Sequence, residues 1–146
     1  MTTSNIDMPL SRIGVVAERI GISERTLRYY EEFGLVTPSA YSRGGARLYD
    51  EDVIARVSHI RILQSLMGFN LEEIKDILSA EDHLDQLRIA YHSGAKPKKE
   101  LLAKAVSILS DLQSKVNDKQ AGLQKFQSEL EAKLIRVRNA MDEADS

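Results

Sequence analysis

From Pro97 to Met141 the apolar residues return on alternating steps of three and four: Leu102, Ala105, Leu109, Leu112, Val116, Lys119, Leu123, Phe126, Leu130, Lys133, Val137 and Ala140. Ten of these twelve positions are apolar, which marks a coiled-coil seam rather than a general amphipathic helix. An unbroken helix over this stretch is about 68 Å long at ~1.5 Å per residue, too long to pack on the core that the rest of the chain can build. It needs a partner helix, most simply a second copy of itself. Leu102, Leu109, Leu112, Val116, Leu123, Phe126 and Leu130 are the expected dimerisation contacts. The weak place is 117–122, where Lys119 occupies the seam and Asn117, Asp118 and Gly122 lower helix propensity. The stripe then drifts toward Leu130, Leu134, Val137 and Met141, so a bend or break there, with the tail folding back, stays open.

A second stretch, Gly21 to Leu35, carries different information. Gly21 makes a turn, and Ser23 is placed to cap a helix through its side-chain oxygen. Ile22 and Leu27 sit at the spacing of a hydrophobic staple. Leu27, Tyr30 and Phe33 form an inward face, whereas Arg25, Arg28, Tyr29 and Glu32 recur on the other side. Gly34 ends the helix. Ahead of it, Ile13 to Ile20 reads as a short helix with Ile13, Val16, Ala17 and Ile20 as its stripe. Two short helices across a glycine turn form the unit in which the second helix enters a major groove. Arg can fork onto guanine or grip phosphate, and Tyr can offer its hydroxyl to phosphate. Taken alone, the same face is also compatible with an ordinary solvated surface.

The next segment, Val36 to Tyr49, contains Pro38 and the pair Gly44-Gly45, which disfavour helix and suit two short extended arms around a bend. Arg43 and Arg47 flank the bend, with Tyr41 and Tyr49 outside them. A small basic hairpin after a helix-turn-helix has the form of a wing that reaches the sugar-phosphate backbone beside the groove. The candidate DNA-binding residues are therefore Ser23, Arg25, Thr26, Arg28, Tyr29, Tyr41, Arg43, Arg47 and Tyr49.

Beyond the wing, Asp50 caps a helix predicted to reach Met67, with Val53, Val57, Ile60, Leu63 and Met67 along one side. Gly68 stops it, and Asn70 with Glu73 forms a capping signature for a helix burying Leu71, Ile74, Ile77 and Leu78. A separate helix is expected from Glu81 to about His92, followed by an interruption in which Pro97 suits a first helical position. The predicted organisation is a disordered lead-in over 1–10, a winged helix-turn-helix domain over 11–80, a connecting helix and linker over 81–96, and a coiled-coil dimerisation helix over 97–142. The fold class is mainly all-α.

Charge placement supports a localised site. The net charge is −2, which argues against nucleic-acid binding driven by bulk charge and points to a local basic patch as any DNA site. Residues 1–61 hold eight Arg and no Lys, whereas 96–133 hold eight Lys and no Arg. The front of the chain thus uses the planar bidentate cation and the back the flexible one. Absence of cysteine removes disulfides, thiolate metal sites and thiol redox sensing, and leaves a cytoplasmic protein as the default; with a DNA-binding face, nucleoid association is the expectation. No apolar run approaches the ~20 residues that span a bilayer, so no membrane partner is expected.

With these residues in place the sequence resembles the MerR family of bacterial transcription regulators. The resemblance rests on Ile13-Gly14 and Ala17, on Thr26-Leu27-Arg28-Tyr29-Tyr30-Glu31, and on Gly34-Leu35-Val36 with Pro38. It continues through Gly45, Arg47 and Tyr49 to Gly68-Phe69-Asn70-Leu71-Glu72-Glu73-Ile74. It covers roughly residues 11–80; beyond Leu78 only the architecture matches. The resemblance implies a homodimer joined by an antiparallel coiled coil on a pseudo-palindromic promoter. It further implies activation by bending and untwisting DNA whose −35 and −10 elements are too far apart, so that RNA polymerase engages both. By position, Arg25 and Arg28 would contact groove and phosphate, while Tyr29, Arg47 and Tyr49 would hold the backbone. Tyr41 stands where the family usually has Arg, and Ala46 where it has Tyr, so the wing contacts are expected to be either weaker or redistributed to Arg43.

The family's metal- and redox-sensing members use cysteines that this chain lacks, and His83 and His92 are too few for a metal site. No cofactor and no metal are expected; the effector is unknown, either a ligand of a small apolar pocket or none. An architectural, excisionase-like DNA-bending protein is the alternative from another class, and a coiled-coil interaction module a third. Enzymatic activity is not expected, because no paired acid and base, activated nucleophile or phosphate-cradling loop is present.

Overall fold

The computed structural model describes residues 9–94 and 97–146. The expected lead-in lies outside the described residues up to Met8, as do Ala95 and Lys96 of the expected linker. Pro9 and Leu10 are exposed and in no regular element. In chain order the elements are β1 (Ser11–Arg12), α1 (Ile13–Ile20), α2 (Glu24–Glu32), β2 (Ala40–Tyr41), β3 (Arg47–Tyr49), α3 (Glu51–Ser65), α4 (Leu71–Ser93) and α5 (Lys98–Ala144). The chain is mainly helical and divides into two compact units, Met1–Glu81 and Asp82–Ser146.

Local signals set the helix ends of the first unit. The Ser23 hydroxyl accepts from the Thr26 amide at 3.0 Å and opens α2. At its end Leu35 N–H reaches the Tyr30 carbonyl at 2.9 Å, with Gly34 at φ +87°. This is a Schellman closure, and a left-handed residue there favours glycine. Asp50 caps α3 through Val53 N–H at 2.9 Å. Asn70 and Glu73 form a reciprocal capping box: the Glu73 amide donates to Asn70 Oδ1 at 2.8 Å, and the Asn70 amide to Glu73 Oε1 at 2.9 Å.

The three strands make one antiparallel sheet in the order β1-β3-β2. Ser11 pairs with Tyr49 and Arg12 with Leu48; on the other edge Ala40 pairs with Leu48 and Tyr41 with Arg47. The two arms of the wing were expected, but β1 was not. It has only two residues and no alternation to read, and its pairing spans nearly forty residues of sequence.

Helices α1 to α3 and the start of α4 enclose the core, in which Val16, Leu27, Tyr30, Tyr49, Val57, Ile60 and Ile74 are completely buried. Four expectations about the inward faces are corrected. In α3 the buried stripe runs through Ile54, Val57, Ile60 and Leu63, with Val53 only half-buried. Met67 is 50% exposed, because α3 stops at Ser65 and Phe69 turns inward in its place. Leu71 is half-buried. Phe33 is half-buried too, its ring lying 6.3 Å from that of Tyr29 and 5.4 Å from Lys75 Nζ. A cation over an aromatic face keeps the ring at the surface at little cost.

The separate helix expected at Glu81 does not exist: α4 runs unbroken for 23 residues from Leu71 to Ser93. Glu81-Asp82 reads as an acidic helix start, but nothing between Leu78 and Leu84 lacks an amide or needs a left-handed backbone, so the ladder continues. His59 Nε2 lies 2.9 and 3.2 Å from the Glu81 carboxylate oxygens, tying α3 to α4.

In the second unit, Leu84, Leu87 and Tyr91 of α4 face Leu101, Leu102 and Ala105 of α5 around an apolar groove of about 210 Å³. Leu101 is the one buried α5 residue, and Pro97 is the N-cap rather than the first helical residue. The helix continues for 47 residues without a break through Asn117–Gly122. One glycine costs about 1 kcal/mol relative to alanine, which is insufficient to interrupt a cooperative helix of this length. Along it Leu102, Leu109, Val116, Leu123, Phe126 and Leu130 are each about half exposed, and Leu112 is half-buried. Among the described residues no helix is long and apolar enough to cross a membrane.

Candidate nucleic-acid interface

The outward face of α2 is built by its cap and its spacing. Ser23 caps the helix and its hydroxyl lies 2.8 Å from that of Thr26, which fixes both side chains at the N-terminal end. That end carries free amides and the positive pole of the helix, both suited to a phosphate. From there Arg25, Thr26, Arg28, Tyr29 and Glu32 line one open cleft of about 610 Å³. Arg28 is exposed and makes a 3.6 Å contact to Glu24 one turn back; such an exposed pair holds the side chain weakly. Tyr29 is half exposed with Phe33 behind its ring.

The wing presents a second cationic surface. Its bend is a three-residue loop: Gly45 N–H closes a turn on the Ser42 carbonyl at 2.9 Å, and Ser42 N–H bonds the Ala46 carbonyl at 2.8 Å. The Ser42 hydroxyl also accepts from Ala46 N–H at 3.0 Å. Gly45 has φ +84°, the left-handed position that such a hairpin loop requires. Arg43 stands exposed at the tip, and Tyr41, 63% exposed, lies opposite Arg47 across the strand pair.

Of the predicted site residues, Ser23, Arg25, Thr26, Arg28 and Tyr29 share the α2 end, and Tyr41, Arg43 and Arg47 share the wing. Tyr49 departs from them. It is completely buried, and its hydroxyl donates to Glu31 Oε2 at 2.9 Å. A buried ring committed to a carboxylate has no surface to offer a phosphate, so its expected backbone contact is replaced by an internal one. Burial, together with the Glu31 bond, pushes the Tyr49 phenol well above its ordinary range.

Sequence reasoning had not assigned a role to Glu31. Its carboxylate accepts from Tyr49 and also meets Arg47 Nε at 3.1 Å, with only 8% of the side chain exposed. One signal pointed to it: Glu31 follows Leu27 by four residues and therefore lies on the inward face, where a carboxylate needs partners.

Comparison with known proteins agrees with this geometry. The model of the MerR HTH family regulatory proteins matches residues 11–81. The HTH-type transcriptional regulator YfmP of Bacillus subtilis (strain 168) is 29% identical over 126 residues, 85% of this chain and 90% of that protein. The mercuric resistance operon regulatory protein of Pseudomonas fluorescens is 33% identical over 105 residues, 68% of this chain and 72% of the relative. The nodulation protein NolA of Bradyrhizobium elkanii is 42% identical over 76 residues, but the match spans only 34% of its length. A solved MerR family transcriptional regulator from Listeria monocytogenes shares the fold, with a TM-score of 0.56 at 21% identity over 85% of this chain and 83% of that one. Helix, turn, helix and wing in this order define a winged helix-turn-helix DNA-binding protein. The chain belongs to the MerR HTH family and is a transcription regulator.

Proposed function

We propose that the protein acts as a homodimer on a two-fold promoter site, joined through α5, and regulates transcription by bending and untwisting the DNA between the −35 and −10 elements. The observation that carries the dimer is the row of half-exposed Leu, Val and Phe side chains along 47 residues of α5, which a single chain leaves in water. Helix α2 of each protomer enters a major groove, with Arg25 and Arg28 on base edges and phosphates and Thr26, Tyr29 and Ser23 on the adjoining backbone. Tyr41, Arg43 and Arg47 of the wing hold the flanking backbone. A dimer reads two half-sites about 34–36 Å apart, or a multiple of that. Its discrimination then depends on DNA deformability as well as on base contacts. RNA polymerase is the second partner at the promoter. A thiophilic metal is not proposed as effector, because these 146 residues include no cysteine.

Footprinting on the upstream region of the protein's own gene, with RNA polymerase present, tests this reading. Two-fold protection between −35 and −10, with enhanced cleavage at its centre, is the expected result. Protection of tandem sites away from any promoter would replace it with an architectural role. Within the complex, Arg28→Ala is expected to cost about 1–3 kcal/mol of binding if Arg28 reads a base, and to reduce the salt slope by about 1 if it holds phosphate.

A further inference from the structure

We propose that Glu31 is the positioning residue of the DNA interface: it clamps the wing to α2 and aims Arg47 at the phosphate backbone without touching DNA itself. This rests on the DNA-bound dimer proposed above and adds to it the element that sets the wing's bearing.

The geometry carries the argument. Arg47 and Tyr49 lie two residues apart on β3, hence on one face of the sheet, and both converge on the same carboxylate at 3.1 and 2.9 Å. Because β3 is the central strand, paired with β1 on one edge and β2 on the other, fixing β3 fixes the whole wing. Tyr41 rides with it, opposite Arg47.

A largely buried carboxylate is a poor way to gain stability, since its desolvation offsets most of what the pair returns. What such a pair supplies is a defined geometry. The Arg47 Nε lies against Glu31 while 46% of the side chain stays exposed, which leaves the guanidinium donors not used by this pair for a phosphate oxygen.

The sign of one substitution separates this from a simple charge effect. Glu31→Gln keeps an acceptor for Tyr49 but removes a negative charge close to the DNA-facing surface. Electrostatics alone then predicts tighter binding. A positioning role predicts the opposite: affinity for the footprinted site falls about tenfold, equivalent to ~1.4 kcal/mol. Hydroxyl-radical protection should fade on the wing side while the α2 protections persist. Arg47→Ala added to Glu31→Gln should then cost almost nothing further, because the two act as one unit. Leu63→Ala, a core change at a residue outside the clamp, serves as the control for lost stability and is expected to preserve the protection pattern below its melting temperature. Unchanged or tighter binding by Glu31→Gln, or a uniform loss of all protections, overturns the proposal. If the wild-type protein itself protects no two-fold site, the dimer reading has failed. The clamp is then judged without DNA, by thermal denaturation of the Glu31→Gln and Arg47→Ala cycle: coupled effects support it and additive ones refute it.

Discussion

The two units of this chain use apolar residues in opposite ways. In the first, Val16, Leu27, Tyr30, Tyr49, Ile60 and Ile74 close on one another in a core, and only scattered apolar side chains such as Leu66 and Met67 stand at the surface. In the second, Leu101 is buried but Leu102, Leu109, Val116, Leu123 and Phe126 stand half in water along the same helix. The first unit gathers most of its apolar side chains into one core; the second leaves a periodic row of them exposed, which is the surface proposed above for a second copy. Burying a Leu-sized side chain contributes about 1.5–3 kcal/mol, so in the proposed dimer each seam residue would add to association what each core residue adds to folding.

The contrast is most strongly tested at the seam. Leu123→Lys combined with Phe126→Lys is expected to turn a dimer into a monomer in sedimentation. An unpaired buried charge costs about 3–5 kcal/mol, and affinity for a two-fold DNA site should fall at least 100-fold or so. A wild-type protein that sediments as a monomer would erase the contrast altogether. In the first unit, Leu27→Ala should lower unfolding stability by about 2–5 kcal/mol in denaturant titration while leaving the oligomeric state unchanged.

A smaller effect is expected at Tyr49. Tyr49→Phe leaves the Glu31 carboxylate one donor short and should cost about 1 kcal/mol near neutral pH. Its pH dependence is also specified. The phenol's pKa is raised in the folded state, by burial first and by Glu31 second, so its stabilising contribution is whole below the ordinary phenol pKa of ~10 and is lost as pH rises beyond it. Tyr30, raised chiefly by burial, acts in the same direction. The melting temperature should therefore drop above about pH 10, and less steeply in Tyr49→Phe. The mildest test concerns α5. Nothing lies within 4 Å of a Cβ placed on Gly122, so Gly122→Ala should stabilise a continuous helix by about 0.5–1 kcal/mol. A loss of helicity by circular dichroism would instead place a bend there.

How far the sequence could be read depends on distance along the chain. Ser23, Asp50 and the Asn70–Glu73 box were legible because a cap and its amide are three residues apart. The two-faced character of α2 was legible for the same reason, since its period repeats every three or four residues. The run of Ile54 rather than Val53 in α3 was not. Two neighbouring stripes were equally apolar, and contact with the rest of the core chose between them. Continuity of α4 and α5 was missed at Glu81 and left open at Gly122, because local propensity is weak beside a long cooperative ladder.

By itself the sequence determined the helix caps at Ser23, Asp50 and Asn70, the Arg-bearing face of α2, the glycine bend of the wing and an apolar heptad stripe along α5. All of these are encoded by neighbours within one or two turns. Only the tertiary structure decided that Ser11–Arg12 adds a third strand, that Tyr49 belongs to the core, and that Glu31 joins α2 to Arg47. Those facts depend on groups 16 to 38 residues apart being brought together, and no periodicity records which distant residue completes a buried carboxylate or a strand edge.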